Sequence, residues 1–461
     1  MYAPSPYAAR LFLLFDRDRI RFVALSMVLL ALAALGASVL TARQGETIFG
    51  PQVGADYATF YLAGAALNAD PPARLYDLAR QDAAYHGLLP RTPAELSLPF
   101  ACAPPLAVFA RPFAALPYEL SYVVWTAFSL VAFRVAFGLF WRQCPGLAPL
   151  DFSTSLIAAA SFAPFILETV LGGQWQALAL LCIAASMELE RRGRPLSAGA
   201  VLAFCLYKPT LLILILPMLL LTRRWQMLLG GALMTAALTA LSWWAVGTQG
   251  LIDYGQLLAR YVAMRRDAPE TIPHLKYVDF MIFLQRIVPH PPAALWWVLA
   301  AIGCAAATYL ARLAWRVGSL SAECGPSKPL GDRAQGADSD FECARQLAWA
   351  AALACTPILS PHCAIYDTIF VIPAILLTAN VLALRKCTSD MTTVVPAVPG
   401  LTTTFAVLTA LVYLTAWFTQ PLAGICHVQA LTLALAALGI YIACLARQLL
   451  SESTRAFPCH S

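Results

Sequence analysis

The sequence predicts an all-α, polytopic membrane protein with about twelve transmembrane helices and a long first extracytoplasmic loop. Three observations predict it. Of 461 residues, 60% are hydrophobic and only 12% charged, against roughly 25% charge in soluble domains. Mean hydropathy is +0.68. Several apolar runs exceed the roughly 18 residues that a crossing requires, and none alternates in polarity as a membrane-barrel strand does. A soluble class is excluded. The formal charge of +6 reports orientation rather than nucleic acid, because Lys and Arg in short loops collect on the cytoplasmic side. The expected partner is the lipid bilayer, and no nucleic-acid partner is expected.

Each element follows from a run and its flanks. Residues 22–42 form a retained first span behind Arg10, Arg17, Arg19 and Arg21; the run is too long, and lacks the small-residue site, for a cleaved signal. Further apolar runs occupy 119–141, 151–171, 174–190, 196–207, 209–222, 225–246, 292–315, 347–359, 362–384, 401–419 and 425–446. Basic clusters between them mark cytoplasmic turns: Arg142, "ERRGR" at 190–194, "RRW" at 223–225, Arg312 with Arg316, "RK" at 385–386, and Arg447. Both termini are then cytoplasmic, in a plasma-membrane protein. The alternation closes only if "PPLAVFARPFAAL", 104–116, does not span. It is short, holds Arg111 and has proline at its start, as interfacial or re-entrant segments do. Residues 43–118 are therefore read as one extracytoplasmic segment with short amphipathic helices on the membrane.

Only about 28 residues separate "ERRGR" from "RRW", and "YKPT" at 207–210 interrupts them. Two shortened helices meeting at Lys208-Pro209 fit, since proline cannot continue the helical hydrogen bonds, and broken helices are tolerated beside polar cavities. The turn-rich stretch 318–342 reads as a flexible cytoplasmic linker. It separates an N-terminal module, 1–316, from C-terminal helices at 347–461, with 317–346 between them. Its "DSD" has no nucleotide-binding domain around it. The 13 cysteines form no C-x-x-C pair and read as small buried hydrophobes. No metal site and no cofactor is expected.

The polar residues that are hardest to explain gather on the outer side of this threading. Asp56 follows the first span; Gln174 lies in "LGGQW" at 171–175; Lys208 tips the broken pair. The loop 247–291 carries Arg260, Arg265, Arg266, His274 and Lys276, and "LSPHCAIYD" at 359–367 carries His362 and Asp367. Each also has a bland reading. An Asp beyond a span is usually a helix cap, Gln174 after two glycines can be a plain turn, and Lys208 can snorkel to headgroups. Arginines can lie on the membrane surface, and His362 can be a satisfied interfacial residue. Against this, ionisable groups at depth cost about 2.5–3.5 kcal/mol on insertion scales.

An outward carboxylate can take a proton from an acceptor hydroxyl. Cations beside it can hold a phosphate and stabilise its charge as it leaves, and aromatics such as Tyr57 can stack on sugars. A sugar carried on a lipid phosphate meets these conditions, with an apolar groove for the tail. No Rossmann, Walker A, zinc-protease or serine-hydrolase motif occurs in the sequence, so those chemistries lack support. A transporter or flippase of lipid-linked sugars, or a surface-polysaccharide polymerase or ligase, stays open on the residues alone.

Five segments in order, "GADYATFYLAGAAL…LYD", "APPLAVFARPFAALPYELSYVVWTAF", "LGGQWQALALL", "RRGRPLSAGAVLAFCLYKPTLLILILPMLLLTRRW" and "LSPHCAIYD", resemble glycosyltransferase family 87 of the GT-C superfamily. That family includes mannosyltransferases that use polyprenol-phosphate mannose. The resemblance implies a GT-C fold and an inverting transfer of a hexose, most often mannose, from a polyprenyl phosphate to an extracytoplasmic glycan or glycolipid acceptor. It implies Asp56 as catalytic base, with Gln174, Lys208 and His362 facing the donor. Tyr57, Arg265, His274 and Lys276 are further candidate binding residues. The "CAPP" at 102–105 and the tryptophan after Gln174 depart from the family's commonest pattern and bear on sugar and acceptor identity.

Overall fold

A computed structural model describes residues 17–43, 46–47, 50–51, 54, 56–69, 74–90, 98–267, 274–288, 293–323, 334–389 and 399–456. The chain begins with α1 (Arg17–Thr41), whose apolar side chains face outward along most of its length. In water such a surface would be an aggregation patch; in hydrocarbon it is the lipid face. A small hairpin, β1 (Glu46–Thr47) and β2 (Gly50–Pro51), leads to α2 (Tyr57–Asn68). Next comes α3 (Leu78–Leu88), started by Asp77, whose carboxylate accepts from the Ala79 and Arg80 amides. Then α4 (Pro104–Ala114) opens on two prolines, which cost nothing in a first turn where the amides lack partners anyway.

At 11 residues, α4 is too short to cross a bilayer. It lies against α2, and a Cβ on Gly64 would come within 2.7 Å of the Ala110 backbone. The expectation that 104–116 does not span agrees with this length. After it, α5 (Tyr118–Arg142) is a full 25-residue crossing.

The run 151–171 is not one straight helix. It divides into α6 (Phe152–Ala160), capped by Asp151, and a π-helical segment, Pro164–Leu171, with a bend of 69° between them. Pro164 lacks the amide that would carry the ladder across the join. Helix α7 (Gln176–Arg191) has 16 residues. The broken pair follows as α8 (Pro195–Leu202), a 3₁₀ turn Ala203–Tyr207, Lys208 at φ −135° and ψ 85°, a second 3₁₀ turn Pro209–Leu212, and α9 (Ile215–Leu221).

Helix α10 (Trp225–Asp267) breaks at Gly247, which has φ 65°, where the apolar run was expected to end. A short α11 (Phe280–Ile287) starts on Asp279. Long helices complete the chain: α12 (Ala293–Glu323), α13 (Ala334–Leu359), α14 (Val371–Ser389), α15 (Pro399–Cys426) and α16 (Ala430–Ala456). The stretch 318–342 is helical at both ends, in α12 and α13, and residues 324–333 lie outside those described.

Among the described residues, six helices are long and apolar enough to cross a membrane, and the bent pair makes up to seven. The twelve runs thus do not map one to one onto long spanning helices. The physical reasons are visible: α7 is short, α8 and α9 are half-length, and the run 347–359 is the end of the longer α13.

The main core lies where α5, α7, α8, α9, α13, α14 and α16 meet, and is rich in Ala, Leu and Phe. A second core, dominated by aromatics, gathers α2, α4, the start of α5 and Trp175. The molecule also has two polar poles. At one, Glu188 takes Arg191 and Arg192 at 2.9 and 2.7 Å, Glu190 takes Arg224 at 3.1 Å and Arg345 at 3.3 Å, and Arg345 also takes Glu342 at 2.6 Å. Gln346 extends this network to the Gln143 carbonyl and to Asn380, which holds the Gly146 amide. Basic clusters distant in sequence therefore stand at one level. The other pole holds the candidate site.

Candidate active site

Asp56 occupies the N-cap position of α2, yet its side chain caps nothing. The orphan amides there are met differently: the Asp56 and Tyr57 N–H groups both donate to the Gly172 carbonyl at 3.1 Å. This leaves the carboxylate free to accept from Gln174 Nε2 at 2.6 Å, and it is 9% exposed. The bland reading of Asp56 as a solvated cap is thereby set aside.

The turn that makes this possible is "LGGQW". Gly173 has φ 79°, and a Cβ on it would lie 2.5 Å from the Tyr57 Cβ, so only glycine fits both the conformation and the space. The turn is held by donors from α5: Tyr122 Oη bonds the Leu171 carbonyl at 2.6 Å, and Trp125 Nε1 bonds the Gly173 carbonyl at 2.9 Å. Gly54 and Tyr57 close the other side, with Tyr57 Oη and Ser121 Oγ 2.5 Å apart. Tyr57 is 1% exposed, stacked on Trp125 at 5.8 Å. Its place is in the packing beneath Asp56, where burial pushes its phenol pKa well up.

Lys208 reaches across the fold to Asp367, with Nζ 2.5 Å from Oδ2, and lies over the Tyr366 ring at 4.5 Å. Asp367 is 1% exposed and also accepts from Gln176 Nε2 at 3.2 Å and the Ala364 amide at 3.1 Å. The broken pair is thus clamped to the turn 360–367. Cys102 lies within the electrostatic range of both Lys208 and Asp56; burial pushes its thiol up to about 12, with Lys208 pulling down and Asp56 pushing up. It is held as an unreactive thiol.

A second acid stands in the π-helical segment. Glu168, 6% exposed, faces Lys276 Nζ at 3.5 Å and accepts from Gln420 Nε2 at 3.4 Å. Segments of this helical type often occur at functional sites because they re-aim one side chain. Burial lowers the Lys276 pKa, but the charges of Glu168 and Asp56 more than offset this and hold it above its ordinary value. Lys276 therefore carries its proton throughout the neutral range.

The loop bearing Lys276 is itself fastened. Tyr277 bridges Ala364, the Val278 amide donates to the Cys363 carbonyl at 3.0 Å, and Asp279 accepts from the Cys363 amide at 3.2 Å. From the C-terminal helices, Gln429 donates to the Leu275 carbonyl and Thr432 to the Val278 carbonyl, both at 2.8 Å. His362 packs at a tilt against Tyr277, ring centroids 4.8 Å apart, which puts it beside this loop.

Of the sequence candidates, Asp56, Gln174, Lys208, Lys276 and His362 thus collect at one pole. Tyr57 underlies them. The side chains of Arg265 and His274 lie outside the described residues. Sequence reasoning passed over Glu168, Gln176 and Gln420, and named Asp367 without its partner. A carboxylate inside the apolar "FILETVL" was the available signal for Glu168. Among the described residues, no group of three His, Cys, Asp or Glu side chains could hold a metal ion.

Among known families, the model of glycosyltransferase family 87 matches residues 100–325. No curated protein matches the chain, and no solved structure does.

Proposed function

We propose that this chain, whose residues 100–325 match the model of glycosyltransferase family 87, is a membrane glycosyltransferase with a specific reaction. It moves a hexose, mannose first among them, from a polyprenyl phosphate to a glycan or glycolipid acceptor. The site pole faces the non-cytoplasmic side of the plasma membrane.

The observation that carries this reading is the state of Asp56: a nearly buried carboxylate that its helix does not use, held by Gln174 and within electrostatic reach of Lys276. In the reaction, the acceptor hydroxyl oxygen attacks the anomeric carbon while Asp56 takes its proton. The bond from that carbon to the phosphate oxygen breaks on the opposite face, which inverts the centre. The lipid phosphate leaves with the electron pair, and Lys276, Lys208 and His362 balance its charge. An apolar cavity of about 210 Å³ runs between α9, α12, α13 and α16, lined by Ile213, Leu214, Ala307, Ala348 and Leu359 among others. It suits a hydrocarbon chain whose head lies at the site. The reaction as written calls on no cofactor.

Asp56→Asn tests the reading. Transfer from a synthetic polyprenyl-phosphate sugar should fall by about 10²–10⁴-fold, with donor binding retained. Undiminished transfer in that variant would remove Asp56 as the base, and transport of the lipid-linked sugar without transfer would favour a flippase.

A further inference from the structure

The two site lysines are held very differently. Lys208 is 15% exposed and touches Asp367 at 2.5 Å, a carboxylate that two further donors also fix. Lys276 is 40% exposed and stands 3.5 Å from Glu168, beyond good hydrogen-bonding distance. One lysine is locked and the other is loosely engaged.

Glu168 is anchored rather than mobile. Its side chain is 8% exposed, its carbonyl accepts the Gln174 amide at 3.1 Å, and Gln420 holds its other carboxylate oxygen at 3.4 Å. Gln174 thus bonds the Glu168 backbone carbonyl through its main-chain N–H and the Asp56 carboxylate through its side chain. Asp56 lies within electrostatic range of both members of the Glu168–Lys276 pair. The loosely held ammonium of Lys276 therefore pairs with Glu168 and also feels the charge of Asp56, the proposed base. An arriving phosphate is a third anion competing for the same cation, and it is the more accessible lysine that can answer.

We propose that Glu168 and Lys276 form an exchange pair: the donor phosphate draws Lys276 from Glu168, and Glu168, released beside Asp56, then accepts hydrogen bonds from hydroxyls of the incoming acceptor sugar. This rests on the transfer reaction proposed above. Donor binding opens the acceptor subsite, so the two substrates add in that order. Glu168 is a substrate-binding residue that also competes with the donor for its cation. A buried carboxylate stripped of its cation needs new donors, and sugar hydroxyls supply them. No bond is made or broken in the exchange; charge moves from one ion pair to another.

The test uses the purified full chain in lipid nanodiscs, with a synthetic polyprenyl-phosphate sugar as the donor probe. Glu168→Gln removes the competing charge. Its donor Kd should fall severalfold while its acceptor KM rises about tenfold, a split that simple loss of structure does not produce. Lys276→Met should weaken donor binding about tenfold, and in that background Glu168→Gln should no longer tighten it, because the two effects pass through one contact. Glu168→Asp, which keeps the charge, should leave donor Kd within twofold of the parent.

Unchanged or weaker donor binding in Glu168→Gln, or an unchanged acceptor KM, overturns the exchange. If Glu168→Gln does not fold, Lys276→Met decides, and donor binding equal to the parent's overturns it. Asp56→Asn separates the two levels. Turnover in Asp56→Asn defeats the underlying reaction; a dead Asp56→Asn with no split in Glu168→Gln defeats the exchange alone.

Discussion

Lys208 and Asp367 show what a single contact carries at this pole. The lysine interrupts a largely apolar pair of half-helices, and its partner is 159 residues away and 1% exposed. Removing one member of a buried pair leaves the other uncompensated, at about 3–5 kcal/mol. Lys208→Met should lower stability by that amount in thermal unfolding of the detergent-solubilised protein. Lys208→Met with Asp367→Leu should recover most of it, since replacing both charges by apolar groups is close to neutral. Equal destabilisation in the single and double variants would count against the pair as a clamp. The lysine itself was legible in the sequence, because a cation just before a proline stands out in a short apolar stretch. The pairing was not, because nothing in a one-dimensional pattern links Lys208 to Asp367. Glu168 was hidden for a different reason. Its direction depends on a local change of helical winding, which apolar periodicity does not encode.

At the scale of elements, the turn after the π-helical segment sets the position of Asp56, the proposed base. Gly172 supplies the carbonyl that replaces an N-cap, and Gly173 supplies a conformation and a clearance that a Cβ would destroy. Gly173→Ala should therefore cost about 1–3 kcal/mol in strain. Displacing Asp56 by as little as 1 Å should reduce transfer by about 10²-fold. Activity should fall much further than stability; a variant that loses both in proportion, or neither, would show that the turn does not aim the base. The double glycine, the broken pair and the short α4 were all readable as departures from a spanning helix. The number of crossings was not, since apolar runs of 12–17 residues serve here as half-helices, short helices or the ends of longer ones. Tyr57 likewise reads as a binding aromatic in sequence and stands in the structure as packing, because its ring fills the space that Trp125, Tyr122 and Gly173 leave.

For the whole molecule, the two polar poles define a direction. One is an ion network of arginines and glutamates, the other the acid and lysines of the site. If the proposed sidedness holds, single cysteines placed in a cysteine-free background should label from opposite sides. Arg80→Cys on α3 should react in intact cells with a thiol reagent that cannot cross lipid, and Arg192→Cys at the other pole should react only after permeabilisation. The reverse pattern would place the site in the cytoplasm and remove the lipid-linked donor from reach. Both side chains are well exposed, at 64% and 55%, so failure to react reports the barrier rather than burial.

The loop around Lys276 is pinned by Cys363 and Ala364 on one side and by Gln429 and Thr432 on the other. Those anchors lie near the end of the chain, whereas Asp56 emerges from the ribosome among the first residues. A nascent copy already threaded as far as α12 consequently carries the proposed base but lacks the anchors that hold Lys276, and on the proposed reaction it stays idle in the bilayer until its final helix docks.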